Sequence, residues 1–147
     1  MEKNEPTLPG MEPKGINDKN SYFKRVADLS PNLLFIIDLR NGGIIYVNRK
    51  AQRVLGYDAQ DIYEKGQKIF ESVLHPDDLE RYLTNIENCK QLNDEEDCDL
   101  EVRFRTGDNE WQWNKITQRI FEREENGNAS HLLGTVENIH RQKIFKE

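Results

Sequence analysis

Apolar and polar side chains alternate without a break over residues 98–105. This two-residue period predicts a β-strand with one buried face. Two more strand-like runs follow, over residues 111–121 and 130–139, and polar turn sequences separate the three. We therefore expect an antiparallel three-stranded meander in this part of the chain. The apolar positions of its first strand share one side: Cys98, Leu100, Val102 and Phe104.

A second pair of strands is predicted closer to the N-terminus. Residues 33–38 and 44–47 are compact apolar runs, and the sequence between them contains Arg40-Asn41-Gly42-Gly43. Glycine and asparagine tolerate the positive φ angles that tight turns require. This stretch is therefore predicted to be a β-hairpin.

Helical spacing replaces alternation between the hairpin and the meander. Asn48 stands where an N-cap is expected, and Gly56 follows as the stop of a short helix. Asp58 and Asp61 indicate a second short helix, because one can cap it and the other lies in its first turn. Gly66 is expected to end that segment.

The longest helical pattern covers residues 77–89. It begins at His75-Pro76-Asp77-Asp78, which places proline at an early helical position and two acids where they complement the helix dipole. Apolar side chains then recur at steps of three and four residues, as an amphipathic helix requires. The stripe consists of Leu79, Tyr82, Leu83, Ile86 and Cys89.

The two ends of the chain lie outside this pattern. Residues 1–18 contain three of the five prolines and few large apolar groups, so we expect a mobile leader. A flanking helix over residues 19–30, capped by Asn20 or Ser21, is predicted next. Residues 140–147 are charged and compatible with the start of a C-terminal helix or linker. The apolar side of the flanking helix carries Tyr22, Phe23, Val26 and Leu29.

Length and charge narrow the function classes. A chain of 147 residues is expected to form one domain, which we place at residues 31–139. The formal net charge of -6 argues against binding to a nucleic-acid backbone. No apolar run is long enough to span a bilayer, and no signal peptide is recognisable, so we expect no membrane partner and a cytoplasmic location.

Reactive groups are sparse. Cys89 and Cys98 are the only cysteines and fit no metal-ligand spacing, so buried free thiols are expected. His131 and His140 likewise show no paired ligand spacing, and no metal site is predicted. The sequence contains no phosphate-binding glycine loop, nucleophile elbow or two-histidine helix motif. We therefore do not expect this chain to be an enzyme itself.

The order of two strands, short helices, one longer helix and three strands resembles a PAS domain with its PAC motif, the sensory box family. Several short motifs carry the resemblance, and they occur in the family's order over residues 21–143. The first half contributes Asp38, Gly42 to Asn48, Leu55-Gly56-Tyr57 and His75-Pro76-Asp77-Asp78. The second half contributes Arg103-Phe104-Arg105, Gly107, Trp113, Asn126-Gly127 and Gly134 to Ile139.

The resemblance implies an α+β fold, in which a five-stranded antiparallel sheet carries the small helices and the longer helix on one face. In ligand-binding relatives the pocket lies between that helix and the sheet. The implied pocket candidates are Phe35, Ile37, Tyr82, Leu83, Ile86, Leu100, Val102 and Phe104. The opposite choice for the first strand would place Leu34 and Ile36 on this face instead. The cofactor, if any, stays unknown at this level.

Cofactor chemistry known in relatives finds little support in the residues. His75 precedes Pro76 at a helix start, which suits a capping side chain better than a haem ligand. Flavin photochemistry in relatives uses a cysteine among the short helices, and none occurs between residues 48 and 75. Trp111 and Trp113 are expected at a packed face or a dimer contact rather than on a planar ligand. A haem or flavin photosensor or redox sensor is therefore the least favoured class.

The resemblance implies a regulatory sensor or signal-coupling domain of a prokaryotic signal-transduction protein. Its C-terminal helix would pass a ligand or conformational state to an effector domain, such as a histidine kinase or a diguanylate cyclase. Relatives usually show aspartate, isoleucine and threonine at this exit, whereas this chain has Asn138, Ile139 and His140. The alternative is a ligand-free module for dimerisation or protein docking. In either case we expect a weak homodimer through the N-terminal helix and the outer sheet face.

Overall fold

The computed structural model describes residues 17–105 and 108–145, with side chains described from residue 19 onward. Most of the predicted leader therefore lies outside the described residues, as do Gly107 and the last two positions. Asn17 and Asp18 already belong to the first helix, which begins two residues earlier than predicted. In chain order the elements are α1 (Asn17–Leu29), β1 (Leu33–Asp38), β2 (Gly43–Val47), α2 (Lys50–Leu55), α3 (Ala59–Lys65), α4 (Lys68–Val73), α5 (Pro76–Cys89), β3 (Cys98–Arg105), β4 (Trp111–Arg123), β5 (Ala129–Asn138) and α6 (His140–Ile144).

All five strands form one antiparallel sheet in the order β2-β1-β5-β4-β3. The predicted fold class, hairpin and meander are confirmed. Gly42 adopts a φ of 75° in the hairpin turn, a conformation that a β-carbon would strain. Because β1 pairs with β5, the N-terminal hairpin and the C-terminal meander become one continuous surface.

The inner face of the sheet is covered by α2, α3, α4 and α5, and the main hydrophobic core lies between these layers. Strand alternation determines which side chains enter it. Phe35 and Ile37 belong to this core, whereas Leu34 and Ile36 pack in a separate cluster on the outer face. The choice of face for the first strand is therefore confirmed.

The outer face is covered in part by α1. Phe23 and Ala27 pack against Ile36 and Tyr46, and the rings of Phe23 and Tyr46 lie 5.3 Å apart. The rest of the predicted apolar stripe does not pack here: Tyr22, Val26 and Leu29 are 66%, 70% and 79% exposed. Asn20 and Ser21 are not caps, because the helix begins at Asn17.

Asn48 also has a role different from the predicted one. The helix after it begins at Lys50, so Arg49 takes the cap position without a side-chain cap bond. The Asn48 Oδ1 atom accepts the Leu34 N–H at 2.9 Å, and its Nδ2 donates to the carbonyl oxygens of Ala27 and Asn32 at 2.6 and 3.0 Å. A single buried amide thus joins α1, β1 and β2.

Candidate functional site

The candidate site is the inner space, which we define as the region enclosed by α4, α5 and the inner faces of β1, β3 and β4. Six of the eight predicted pocket residues lie in its buried core, and Leu100 packs at its margin. Leu83 does not belong there and is 38% exposed. It follows Tyr82 by one residue, about 100° further around the helix, and so faces away from the sheet. The buried six are Phe35, Ile37, Tyr82, Ile86, Val102 and Phe104.

Aromatic rings fill the centre of the inner space. Phe70 of α4 lies between three other rings, with centroids 5.1 Å from Phe35, 5.7 Å from Tyr82 and 6.4 Å from Phe104. We did not predict α4 or Phe70 individually, although Ile69, Phe70 and Val73 have helical spacing. These tilted contacts are typical of a well-packed core.

Gly134 of β5 is what lets Phe35 occupy this position. A β-carbon added at Gly134 would lie 2.7 and 2.8 Å from two ring carbons of Phe35. The ring therefore rests directly on the backbone of the neighbouring strand. Any side chain at this glycine would push Phe35 into the other rings.

Within the described part of the chain, two buried polar atoms of this region have no hydrogen-bond partner, namely the Tyr82 hydroxyl and the Gln118 side-chain carbonyl. Both residues are 0% exposed. Burial raises the pKa of Tyr82 above its ordinary value, so the phenol stays protonated and able to donate. The Gln118 amide nitrogen donates to Asn85 Oδ1 at 3.2 Å and contacts Cys89 Sγ at 3.6 Å. The inner space can therefore offer a donor or acceptor at Tyr82 and an acceptor at Gln118.

Gln118 was missing from our predicted site. Its signal was present in the sequence, because strand alternation places it on the same face as Ile116 and Ile120. A polar residue between two core positions of a strand is expected to have a specific partner.

The start of α5 is held to the edge strand β3. The His75 Nδ1 atom accepts the Asp77 N–H at 3.0 Å, which confirms the predicted capping role. Asp78 is 2% exposed and accepts the backbone N–H of Arg103 at 2.8 Å together with two guanidinium bonds. Burial favours the neutral form of Asp78, but the hydrogen bonds and charge of Arg103, with help from Arg81, outweigh it and lower its pKa. The carboxylate is therefore charged at neutral pH.

The predicted signal exit lies on the other side of the sheet, at the junction of β5 and α6. Asn138 Oδ1 accepts the His140 N–H at 2.9 Å, and its Nδ2 donates to Gln112 Oε1 at 2.8 Å. Ile139 is buried, and its N–H donates to the Trp113 carbonyl at 3.0 Å. The Trp113 N–H in turn donates to His140 Nδ1 at 3.2 Å. All three exit residues thus anchor the C-terminal helix to β4.

A five-stranded antiparallel sheet with α2–α5 on one face is the architecture of the PAS fold, and the sequence agrees with this class. A family model described as PAS fold matches residues 44–136. The match covers more than half of the chain, and the protein belongs to this family.

Solved structures show the same fold at low sequence identity. The PAS domain of a protein from Colwellia psychrerythraea superposes with a TM-score of 0.67 at 18% identity, over 84% of this chain and 99% of that one. The N-terminal domain of a diguanylate cyclase with PAS/PAC sensor from Marinobacter aquaeolei gives 0.64 at 15%, over 76% and 98%. A sensory box histidine kinase/response regulator from Burkholderia thailandensis gives 0.60 at 17%, over 86% and 88%.

The comparison with curated proteins and the check for membrane-spanning helices were both negative. The search of curated proteins found no significant match. Among the helices of the described residues, none combines the length and apolar character needed to cross a bilayer.

Proposed function

We propose that this chain is a regulatory sensor or signal-coupling domain of a prokaryotic signal-transduction protein. The observation that carries the proposal is a pair of buried polar atoms, Tyr82 Oη and Gln118 Oε1, that have no hydrogen-bond partner among the described residues of the mostly apolar inner space. Buried polar groups are rarely left without a partner, so this pair favours a small polar ligand that meets both. Similar folds occur in a diguanylate cyclase and in a histidine kinase, which supports an effector of either kind.

The output side of the proposal is α6. This helix follows β5 after a single residue and is held to β4 by backbone and side-chain hydrogen bonds. A ligand that shifts α5 or the sheet would change how firmly α6 is anchored, and α6 would pass that change to an effector domain. In this scheme residues 31–139 form the sensing unit, residues 140–147 begin the connection, and the protein works in the cytoplasm.

Ligand binding is tested on the purified full chain. Native mass spectrometry and thermal shift against a metabolite panel should reveal a bound small molecule or a stabilising one. Gln118→Leu and Tyr82→Phe remove the two polar atoms while keeping most of the packing, so both variants should lose the added mass or the shift. A wild-type protein with no bound mass and no stabilising compound would contradict a ligand sensor.

The ligand-free alternative has its own supporting observation. The rings of Phe35, Phe70 and Phe104 already occupy the centre of the inner space. The exposed side of α1 offers Tyr22, Val26 and Leu29, which a second copy of the chain could cover. Sedimentation of the wild type and of Val26→Glu distinguishes the cases. A docking module that dimerises should shift to monomer in the variant, and a monomeric wild type would contradict it.

A haem or flavin sensor is the third class. The visible absorption spectrum of protein expressed with both cofactors supplied tests this class, because haem and flavin absorb at wavelengths well above the protein's own absorption band. A spectrum without such a band would rule this class out.

A further inference from the structure

A continuous set of charged and aromatic contacts runs around the β3 edge of the sheet, from α5 on the inner face to α6 on the outer face. We call it the edge network and define it by Asp78, Arg103, Trp113, Lys143 and Glu101. Strand β3 is the last strand of the sheet, so its outer edge is where side chains can pass from one face to the other. Each contact of the network has a defined geometry.

The first contact joins α5 to β3. Arg103 Nε lies 3.0 Å from Asp78 Oδ2 and its second terminal nitrogen lies 2.8 Å from Oδ1, a two-pronged pairing that fixes the guanidinium plane. Asp78 also lies four residues before Tyr82, so both occupy the same side of α5. Tyr82 in the inner space and Asp78 at the sheet edge are therefore one helical turn apart on the same rigid element.

The second contact joins β3 to β4. Arg103 and Trp113 are cross-strand partners in the sheet register, and the guanidinium carbon lies 5.1 Å from the centre of the Trp113 ring. Stacking of arginine on tryptophan favours one orientation of both groups. The Trp113 ring thus lies against the same guanidinium group that Asp78 binds.

The third contact joins the sheet to α6. Lys143 Nζ lies 4.6 Å from the centre of the same Trp113 ring and 2.7 Å from Glu101 Oε1. Glu101 shares the outer side of β3 with Arg103, two residues away. Its backbone carbonyl also accepts a hydrogen bond from Arg81 of α5 at 2.9 Å. Two branches from α5 thus converge where α6 is held.

From these contacts we infer that Arg103 and Trp113 are positioning residues for the exit helix and couple the start of α5 to α6 around the β3 edge. The mechanism is a competition between the cations Arg103 and Lys143 for the carboxylate of Glu101. While Asp78 binds Arg103, Glu101 is left to Lys143, and α6 stays docked on Trp113. When α5 shifts and Asp78 withdraws, the freed guanidinium can turn to Glu101 on its own strand and displace Lys143. The inference rests on the proposed function for its purpose, but the coupling itself needs neither ligand nor effector.

The test is residue-resolved amide hydrogen exchange on the full chain. The reporting amides are those of Trp113 and Ile139, which bond across the exit, and that of Lys143, which bonds to Ile139 O at 2.9 Å. Leu39, whose amide bonds to Ser130 O at 2.8 Å at the far side of the sheet, is the reference. For amides that exchange through global unfolding, the ratio of each rate to that of Leu39 is unaffected by a change in global stability, so a raised ratio indicates opening at the exit.

Asp78→Asn should raise these exchange ratios at least about twofold, the lower end expected for residues that carry coupling. Its matched control is Asp77→Asn, which removes the exposed acid from the same first helical turn. Arg119→Gln is a second control, because it removes an exposed ion pair with Asp97 on the outer side of β4, away from the edge network. Neither control should change the ratios.

A double-mutant cycle completes the test. If Asp78 and Lys143 act through the same chain of contacts, the double variant Asp78→Asn/Lys143→Gln should raise the exchange ratios no further than the stronger single variant does. Ratios that stay unchanged in Asp78→Asn, or effects that multiply as if independent, would overturn the coupling.

If Asp78→Asn fails to fold, Arg103→Lys replaces it under the same criteria, since lysine keeps the charge but loses the two-pronged geometry. A coupled but ligand-free protein would leave this inference intact while overturning the sensor proposal.

Discussion

The two faces of the sheet are built on different physical principles. The inner face is held by close contact between apolar side chains, with three aromatic rings around Phe70. The outer face carries a smaller apolar cluster under α1, and elsewhere it is held by ion pairs, cation–π contacts and single hydrogen bonds. Dense packing resists change, whereas polar contacts can exchange partners at little cost. The contrast suggests that stability resides on the inner face and that responsiveness resides on the outer one.

The largest effect should come from the centre of the inner face. Phe70→Ala removes the ring shared by three aromatic contacts and should lower the free energy of unfolding by about 3–5 kcal/mol. Urea denaturation monitored by circular dichroism measures it. Tyr22→Ala on the exposed side of α1 is the control and should change stability by no more than about 0.5 kcal/mol. Similar losses in both variants would contradict the contrast between the faces.

Overpacking the same region should have the next largest effect. Gly134→Ala forces a methyl group against the Phe35 ring and should cost about 1–3 kcal/mol in the free energy of unfolding. Phe35→Leu combined with Gly134→Ala makes room for that methyl group. The double variant should therefore lose less stability than the sum of the two single changes, as measured in the same denaturation experiment. Strict additivity would show that the glycine is required for another reason.

The sequence predicted the inner face better than the outer face. Period-two and period-3.6 patterns place Val102, Phe104 and Tyr82 in the core because burial of one side is what creates those periods. Leu83 was misplaced because an apolar residue next to a stripe looks like part of it. Gln118 was missed because polar and apolar residues mix along the inner side of β4, where Asn114 and Gln118 flank Ile116, so this strand shows no clean apolar stripe.

The contacts of the outer face were not predictable in the same way. Asp78 and Arg103 are 25 residues apart and meet only because α5 crosses to the sheet edge. Lys143 and Glu101 are 42 residues apart. No local pattern marks such pairs, since a charged residue looks the same whether it is solvated or bound. Only the folded arrangement of β3, β4 and α6 brings them together.

A smaller effect, dependent on pH, should come from a buried polar group of the outer face. His131 pairs with Asp38 in the sheet register, and its Nε2 lies 3.7 Å from Asp38 Oδ2 and 3.5 Å from an Arg40 nitrogen. Burial lowers the pKa of His131 below its ordinary 6.5 despite the attraction of Asp38. Between the lowered folded pKa and 6.5 the unfolded chain binds more protons. Stability is therefore complete above pH 6.5 and falls as the pH drops through the folded pKa.

The variant that checks this is His131→Gln, which cannot titrate. Urea denaturation at pH 7.5 and pH 5.5 should show a smaller stability difference for the variant than for the wild type. Asp38 does not confuse the result in this window, because hydrogen bonding from Arg40 holds its pKa below its usual value of 3.8. An equal pH dependence in both proteins would show that His131 does not titrate as proposed.

The smallest effect on stability, and the most informative for signalling, should come from the exit itself. Asn138→Asp keeps the oxygen that accepts the His140 N–H and adds a negative charge at the start of α6. A charge-assisted hydrogen bond of this kind should stabilise the helix start by about 0.3–1 kcal/mol. The lost donor to Gln112 can be replaced if the Gln112 amide turns over and donates instead.

In a chain fused to its effector, the tighter anchor should strengthen the coupling between domain and output. Asn138→Ala, which removes both hydrogen bonds, should weaken it. Effector activity and thermal stability that remain unchanged in both variants would show that signals do not leave the domain through Asn138.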